Sequence, residues 1–127
     1  MAEGGVEKEE RFQNITHKGQ SIVLLDLSNL QDEKEVIRLL GMRSTLHTSH
    51  GLLVDLTNTH LSRDIMKEAK ENSKAIRPLI KAFAVVGTGS MVGVLVSAVS
   101  RFSGMNIATL DTRAAAMDWL SKEMAKR

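Results

Sequence analysis

Apolar residues along this chain occur either in short continuous runs or in longer stretches where they recur every three to four residues. Four short runs, bounded by glycine or polar turn residues, predict strands buried on both faces; they are residues 21–27, 51–56, 82–86 and 106–110. Phe12 and Ile15 indicate a shorter first strand that ends near Gly19. The stretches between the later runs predict helices.

Polar residues mark where the first two helices begin. Asp32 is suited to cap the first helix, with Glu35 three residues later as in a capping box, and the helix is expected to pass Gly41 and end near residue 49. Ser62 is suited to cap the second helix, and Pro78 is expected to stop it. The inner face of that second helix is predicted to carry Ile65, Ala69 and Ile76, with Met66 beside them.

The last two helices have similar boundary signals. Ser90 is expected to cap a helix that runs to about residue 103 and closes at Gly104. Asp111 or Thr112 is expected to cap the final helix. Four of its residues share one face and predict where it meets the sheet: Ala116, Trp119, Leu120 and Met124.

The elements follow in the order β-β-α-β-α-β-α-β-α. This order predicts an α/β fold with a mostly parallel sheet of about five strands and about four helices. A chain of 127 residues corresponds to one domain. We expect residues 1–11, which have no apolar period, to form a flexible leader before a single domain over residues 12–127.

The amino-acid composition argues against several kinds of site and partner. Cysteine is absent, which excludes disulfides, thiolate metal sites and cysteine nucleophiles and suits a cytoplasmic location. A net charge of +2 and 3% aromatic residues do not favour a nucleic-acid partner. Residues 82–100 contain no charge and have the length of a membrane span. Their three glycines and four hydroxyl residues instead favour a buried strand, a turn and a buried helix, so no span is expected.

The helix after residue 90 is apolar nearly all round, and such a helix is either deeply buried or covered by a partner. In a domain this small each helix should have a solvent side. We therefore expect a homodimer that uses part of this helix, with an interface formed by Val92, Leu95, Val96 and Val99.

Three aspartates, Asp26, Asp55 and Asp111, lie near the carboxyl ends of predicted parallel strands, where such sheets bind ligands. They could hold Mg²⁺, or they could close turns with their side chains. A short internal repeat favours turn closure, because residues 24–29 (LLDLSN) resemble residues 53–58 (LVDLTN). We assign no metal and no cofactor.

Other motifs are incomplete. Residues 87–93 (GTGSMVG) follow a strand and open a helix, but their spacing is G-x-G-x-x-x-G and not that of a dinucleotide fingerprint. A phosphate at the N-terminus of that helix stays an alternative. The four histidines (His17, His47, His50 and His60) have no cysteine partners and do not form a zinc pattern, and no hydrolase motif is present. We therefore expect no enzymatic activity.

The organisation resembles the bacterial SpoIIAA-like group of the STAS superfamily, which is related in fold to anti-sigma-factor antagonists and CRAL-TRIO lipid-binding domains. The resemblance covers about residues 21–120. Its most specific parts are residues 81–87 (KAFAVVG), 102–104 (FSG) and 111–112 (DT), with Ala116 and the pair Trp119-Leu120. The resemblance implies a STAS-like α/β sheet with helices. Proteins of this group are commonly dimeric and have no demonstrated catalysis.

In true antagonists a serine preceded by aspartate begins the helix after the central strand, and a partner kinase phosphorylates it. The matching place here is Leu61-Ser62-Arg63-Asp64, with Arg63 at the serine position and no Asp-Ser pair. Ser62, one residue away, is the candidate phosphosite, although it also serves as a predicted helix cap.

These patterns and the resemblance predict a non-enzymatic, cytoplasmic regulatory or protein-interaction module with an unknown protein partner. The predicted contact surface lies at the strand exits and consists of Thr57, Asn58, Ser62, Arg63, Thr88 and Ser90. The alternative is a nucleotide- or lipid-binding domain that uses the same edge and the N-terminus of the Ser90 helix.

Overall fold

The computed structural model describes residues 11–41 and 50–126, and these form one sheet with four α-helices. Nearly all of the predicted leader lies outside the described residues, as does the last part of the predicted first helix, residues 42–49, which contains His47.

The five strands of the sheet lie in sequence order. They are β1 (Phe12–His17), β2 (Gln20–Asp26), β3 (His50–Asp55), β4 (Ile80–Val86) and β5 (Ile107–Leu110). β1 is antiparallel to β2, and all other neighbours are parallel. Lys18 and Gly19, with φ of 51° and 80°, form a two-residue turn that is too short for a parallel crossover. The sheet is therefore mixed but mostly parallel, as the sequence predicts.

The four helices fall where the apolar periods predict them. They are α1 (Glu33–Leu40), α2 (Arg63–Ile76), α3 (Ser90–Ser103) and α4 (Arg113–Ala125), with a 3-10 turn over Arg77–Leu79. Asp32 caps α1 by accepting from the Lys34 amide at 3.0 Å. The Ser62 hydroxyl caps α2 by accepting from the Ile65 amide at 3.2 Å. The Thr112 hydroxyl caps α4 by accepting from the Ala115 amide at 3.1 Å.

Two boundary predictions are wrong. α1 ends at Leu40, and Gly41 is its C-terminal cap, because without a β-carbon glycine is a weak helix former. Ser90 does not cap α3; the cap position is Gly89 with a φ of 104°, and no side chain bonds the first amides. The predicted closure of α3 at Gly104 is confirmed by its left-handed φ of 77°.

The two faces of the sheet are covered unequally. Parallel neighbours in sequence order need right-handed crossovers, which place α1, α2 and α3 together on one face. Their core includes Val36, Ile65 and Leu95 against Val54 and Val85. Of the four helices that the structure describes, only α4 covers the other face.

The core under α4 is built on three of its apolar residues, Ala116, Leu120 and Met124, which pack against Leu24, Leu53 and Ala84. Trp119 is only partly buried at the edge of this core. Residues 82–100, free of charge, run through β4, a turn and α3, as predicted. Within the described ranges, no helix combines the length and apolar character that crossing a membrane requires.

Candidate functional site

The turns that follow β2 and β3 have the same construction. Asp26 accepts from the Ser28 amide at 3.0 Å, and Asp55 accepts from the Thr57 amide at 2.9 Å. Each aspartate thus closes the turn two residues beyond itself, as in an Asx turn. The repeated LLDLSN and LVDLTN segments are therefore repeated turn chemistry, which confirms the turn-closing interpretation. We call these two turns (residues 26–31 and 55–60), together with Ser62, Arg63, Arg113 and residues 87–90, the exit edge.

Arg113, the first residue of α4, joins the two turns. Its Nε lies 2.6 Å from Asp55 Oδ2, and its terminal nitrogen lies 3.0 Å from Asp26 Oδ1. β2 and β3 are parallel neighbours with Asp26 paired to Asp55, so their carboxylates emerge side by side. One planar guanidinium can therefore span both carboxylates.

The interactions of this network favour the charged forms of Asp26 and Arg113. Burial by itself would raise the pKa of Asp26, but hydrogen bonds from the Ser28 hydroxyl and amide, together with Arg113, leave that pKa below its ordinary value. Burial by itself would lower the pKa of Arg113, and its bonds to Asp55 and Asp26 instead raise it. Asp55 is only 4% exposed, so Arg113 is its counter-charge in a nearly dry position.

Side chains and backbone also cross-link the two turns directly. Asn29 and Asn58, both with positive φ (62° and 52°), are joined side chain to side chain at 3.0 Å. The Thr59 hydroxyl donates to the Leu27 carbonyl at 2.6 Å, and the Gln31 amide donates to the Asn58 carbonyl at 2.7 Å. The exit edge is therefore a pre-ordered surface.

Most of the predicted contact residues are exposed on this edge. Ser62 is partly buried. The other five are exposed: Thr57, Asn58, Arg63, Thr88 and Ser90. The N-termini of α2 and α3 follow adjacent parallel strands, so Arg63 and Ser90 lie at the same edge. The Ser62 oxygen is engaged with the Ile65 amide as a helix cap.

The three candidate metal ligands do not form a free cluster. Asp26 and Asp55 both face Arg113, so a cation already occupies the space between them. Asp111 is exposed at the end of β5. Across the part of the chain that the structure describes, no group of three histidine, aspartate or glutamate residues is arranged to hold a metal ion.

The two histidines with ion pairs, His17 and His60, lie on different elements and have different partners. His17 on β1 lies 2.8 Å from Asp118 on α4, which also receives Lys18 at 3.0 Å. Hydrogen bonds from His17 and Lys18 outweigh desolvation and lower the pKa of Asp118. His60 is 3.5 Å from Glu33, near the start of α1. These pairs fasten surface elements and do not meet at one site.

The predicted dimer interface is wrong in its residues. Val92, Leu95, Val96 and Val99 are between 4 and 9% exposed because they face the sheet within the same chain. These side chains of α3 pack in one core with Phe83 and Val85 of β4 and Ile107 of β5. The homodimer itself stays a prediction that would need other side chains.

A small cavity of about 70 Å³ lies inside this face, between the sheet and helices α2 and α3. Its walls are almost entirely apolar and include Leu52, Val54, Phe83, Ile76 and Val99. It has room for a very small apolar guest, and its wall includes Leu56 at the start of the second turn.

Sequence inspection missed the residue that organises the edge. Arg113 was not singled out, because an arginine at a helix start is unfavourable next to the helix dipole. The sequence does contain one signal for such a residue. Two aspartates at equivalent strand ends bring two negative charges together, and this favours a shared cation beside them. Arg11 was missed as well; its side chain donates to the Asp26 carbonyl at 2.8 Å.

Comparison with known proteins supports the fold. No protein-family model matches the chain, and no curated protein matches it. Its structure is similar to that of an uncharacterized DUF3478-family protein with a SpoIIAA-like fold from Shewanella loihica PV-4. The TM-score is 0.62 at 14% sequence identity, and the match covers 86% of this chain and 91% of that one. The chain therefore has a SpoIIAA-like fold, as the sequence resemblance predicts.

Proposed function

We propose that this SpoIIAA-like domain is a non-enzymatic, cytosolic regulatory module that binds a protein partner through its exit edge. The observation that carries the proposal is the Asp26–Arg113–Asp55 network with its cross-linked turns. A surface that is already ordered loses little conformational entropy when a partner binds. Exposed Thr57 and Arg63 give this surface polar groups for recognition.

The same network supports the absence of catalysis. A general acid or base needs a proton-transfer group that is free to face a substrate. Asp26 and Asp55 are each engaged by an amide and by Arg113, so neither is a free carboxylate.

The test is partner capture with variants of the exit edge. Immobilised full-length chain is compared with Thr57→Arg, Arg63→Glu and the control Lys34→Glu, which changes an exposed residue of α1. We expect a cytosolic protein that is retained by the wild type and the control and lost with both edge variants. Titration with the purified partner should then show weakening of at least about tenfold. Identical retention by all four proteins, or none by the wild type, would contradict the proposal.

The alternative of a nucleotide or lipid ligand rests on the exposed turn before α3. Thr88, Gly89 and Ser90 are exposed, and Gly87 and Gly89 have φ of 157° and 104°. A ligand that binds the folded chain there raises its melting temperature. A rise with ATP or a fatty acid that Gly89→Ala abolishes would favour this alternative over the protein partner.

A further inference from the structure

Helix α3 carries an apolar stripe on its outer side. The large apolar side chains that are exposed within residues 11–41 and 50–126 all lie on this helix: Met91, Val94 and Phe102, at 45, 54 and 42% exposure. At 3.6 residues per turn, they and Ala98 lie within an arc of about 80° and span about 16 Å along the axis. We call these four residues the α3 stripe.

Helix α2, beside it, separates its charges into two flanks. Lys67, Lys70 and Lys74 lie within an arc of about 60°. Lys70 and Lys74 have their Nζ atoms 5.6 and 4.4 Å from the centre of the Phe102 ring, so the lysine flank faces the α3 stripe. The acidic residues lie in a separate arc of about 60° on the far flank; they are Asp64, Glu68 and Glu71.

The segment of the chain that contains α2 and α3 carries an excess of positive charge. Residues 63–104 carry seven cationic and three acidic side chains, whereas the rest of the chain carries ten cationic and twelve acidic ones. The three lysines and Arg101 form no ion pair with any described residue. The cations are therefore available to a ligand.

We propose that the α3 stripe and the lysines of α2 dock this chain on an anionic lipid surface. Apolar side chains flanked by lysines suit the boundary between headgroups and acyl chains, where the apolar groups insert and the ammonium groups meet phosphate. Lys74 covers the Phe102 ring by a cation–π contact in water. Its flexible stem allows the ammonium to move to a headgroup while the ring enters the bilayer.

Other occupants fit this surface less well. A second copy packed antiparallel on the stripe, about a two-fold axis perpendicular to α3, would bring the lysines of α2 close to those of its partner, and like charges across an interface are strongly unfavourable. A stable protein interface needs about 800 Å² on each side. A single ridge with three exposed apolar side chains offers a short, narrow contact, which shallow insertion into lipid can use fully.

The test is sedimentation of the full-length chain with vesicles. Vesicles of phosphatidylcholine alone are compared with vesicles containing about one third phosphatidylglycerol. We expect binding only to the anionic vesicles, and weaker binding as salt rises. The double variant Lys70→Gln/Lys74→Gln should bind at least about tenfold more weakly. The control Lys34→Gln/Lys122→Gln removes the same charge from α1 and α4 and should stay within about twofold of the wild type.

Val94→Asn tests the apolar part, because Val94 is exposed and its replacement leaves the core intact. It should weaken vesicle binding while the melting temperature stays unchanged. Equal binding to both vesicle types, no binding to either, or equal losses in the control would overturn the proposal. Binding to polyglutamate without binding to vesicles would assign the surface to an acidic protein. A dimer in light scattering that Val94→Asn dissociates would assign it to a second copy.

Discussion

At the scale of single residues, Arg113 has the largest influence on the exit edge. It approaches Asp55 to 2.6 Å and Asp26 to 3.0 Å, and it is the counter-charge of the nearly buried Asp55 carboxylate. Removing one partner of a buried charge pair leaves the other charge desolvated without compensation.

Arg113→Gln is therefore expected to lower the free energy of unfolding by about 2 kcal/mol, because Asp55 loses its counter-charge. Urea denaturation at neutral pH measures this change. Arg101→Gln is the control, since Arg101 is exposed on α3 and has no ion pair with a described residue; it should change stability by less than about 0.5 kcal/mol. Equal effects of the two substitutions would show that the network adds no stability.

Asp26 should make stability depend on pH in the acidic range. Its pKa in the folded protein is below the ordinary value of about 3.9 for aspartate. A lowered pKa means that the charged form favours folding, so its contribution is present at neutral pH. This contribution is lost as pH falls below about 4 through the folded-state pKa.

The measurement compares wild type with Asp26→Asn by denaturation across pH. The stability difference should be constant between about pH 6 and 8, where the carboxyl stays ionised, and should shrink below about pH 4. A difference that stays constant down to about pH 2 would contradict this account.

At the scale of elements, α4 is held on its face of the sheet by close contact with β3. A β-carbon added at Gly51 would lie 2.7 Å from Met124 Sδ and 3.5 Å from Leu120. Glycine at this strand position lets the helix approach the sheet closely, which matters because α4 is the only described helix on that face.

Gly51→Ala is expected to destabilise the protein by about 1–3 kcal/mol, since Met124 must move from a packed position. Met124→Ala should cost less in the Gly51→Ala background than in the wild type, because the two side chains compete for one space. Gly93→Ala is the matched control; nothing lies within 4 Å of its added β-carbon on α3. It should stabilise by up to about 1 kcal/mol. A Gly51→Ala protein as stable as wild type would contradict the close contact.

Element boundaries were predictable wherever one local signal acts alone. Pro78 ends α2 just after Ile76, and the Ser62 and Thr112 caps form as expected. The start of α3 was predicted wrongly at the residue level, because both Gly89 and Ser90 suit a cap position. The backbone, with a φ of 104° at Gly89, decides between them.

At the scale of the whole molecule, the sheet has a strong centre and weaker margins. β3 and β4 are bordered on both sides by strands and covered on both faces, and Leu53 and Ala84 are fully buried. β5 has four residues and lies at one end of the strand order. Opening the centre requires breaking both cores.

Amide hydrogen exchange is expected to report this gradient. The amides of Leu53 and Ala84 should exchange at rates set by global unfolding, and Thr109 in β5 should exchange faster through local opening. Measurement with and without a mild denaturant distinguishes the two regimes. Similar protection of Thr109 and Ala84 would mean that the edge strand opens only with the whole domain.

The order of strands and helices, the inner faces of α2 and α4 and the turn-closing role of the repeated aspartates could be predicted from the amino-acid sequence. These depend on period, caps and side-chain chemistry within a few residues of each position. Two features depend on the folded chain: Arg113 joins Asp26 to Asp55, and the inner side of α3 consists of Val92, Leu95, Val96 and Val99. A nearly uniform apolar helix does not specify which side meets the sheet, and partners far apart in the chain meet only through strand register.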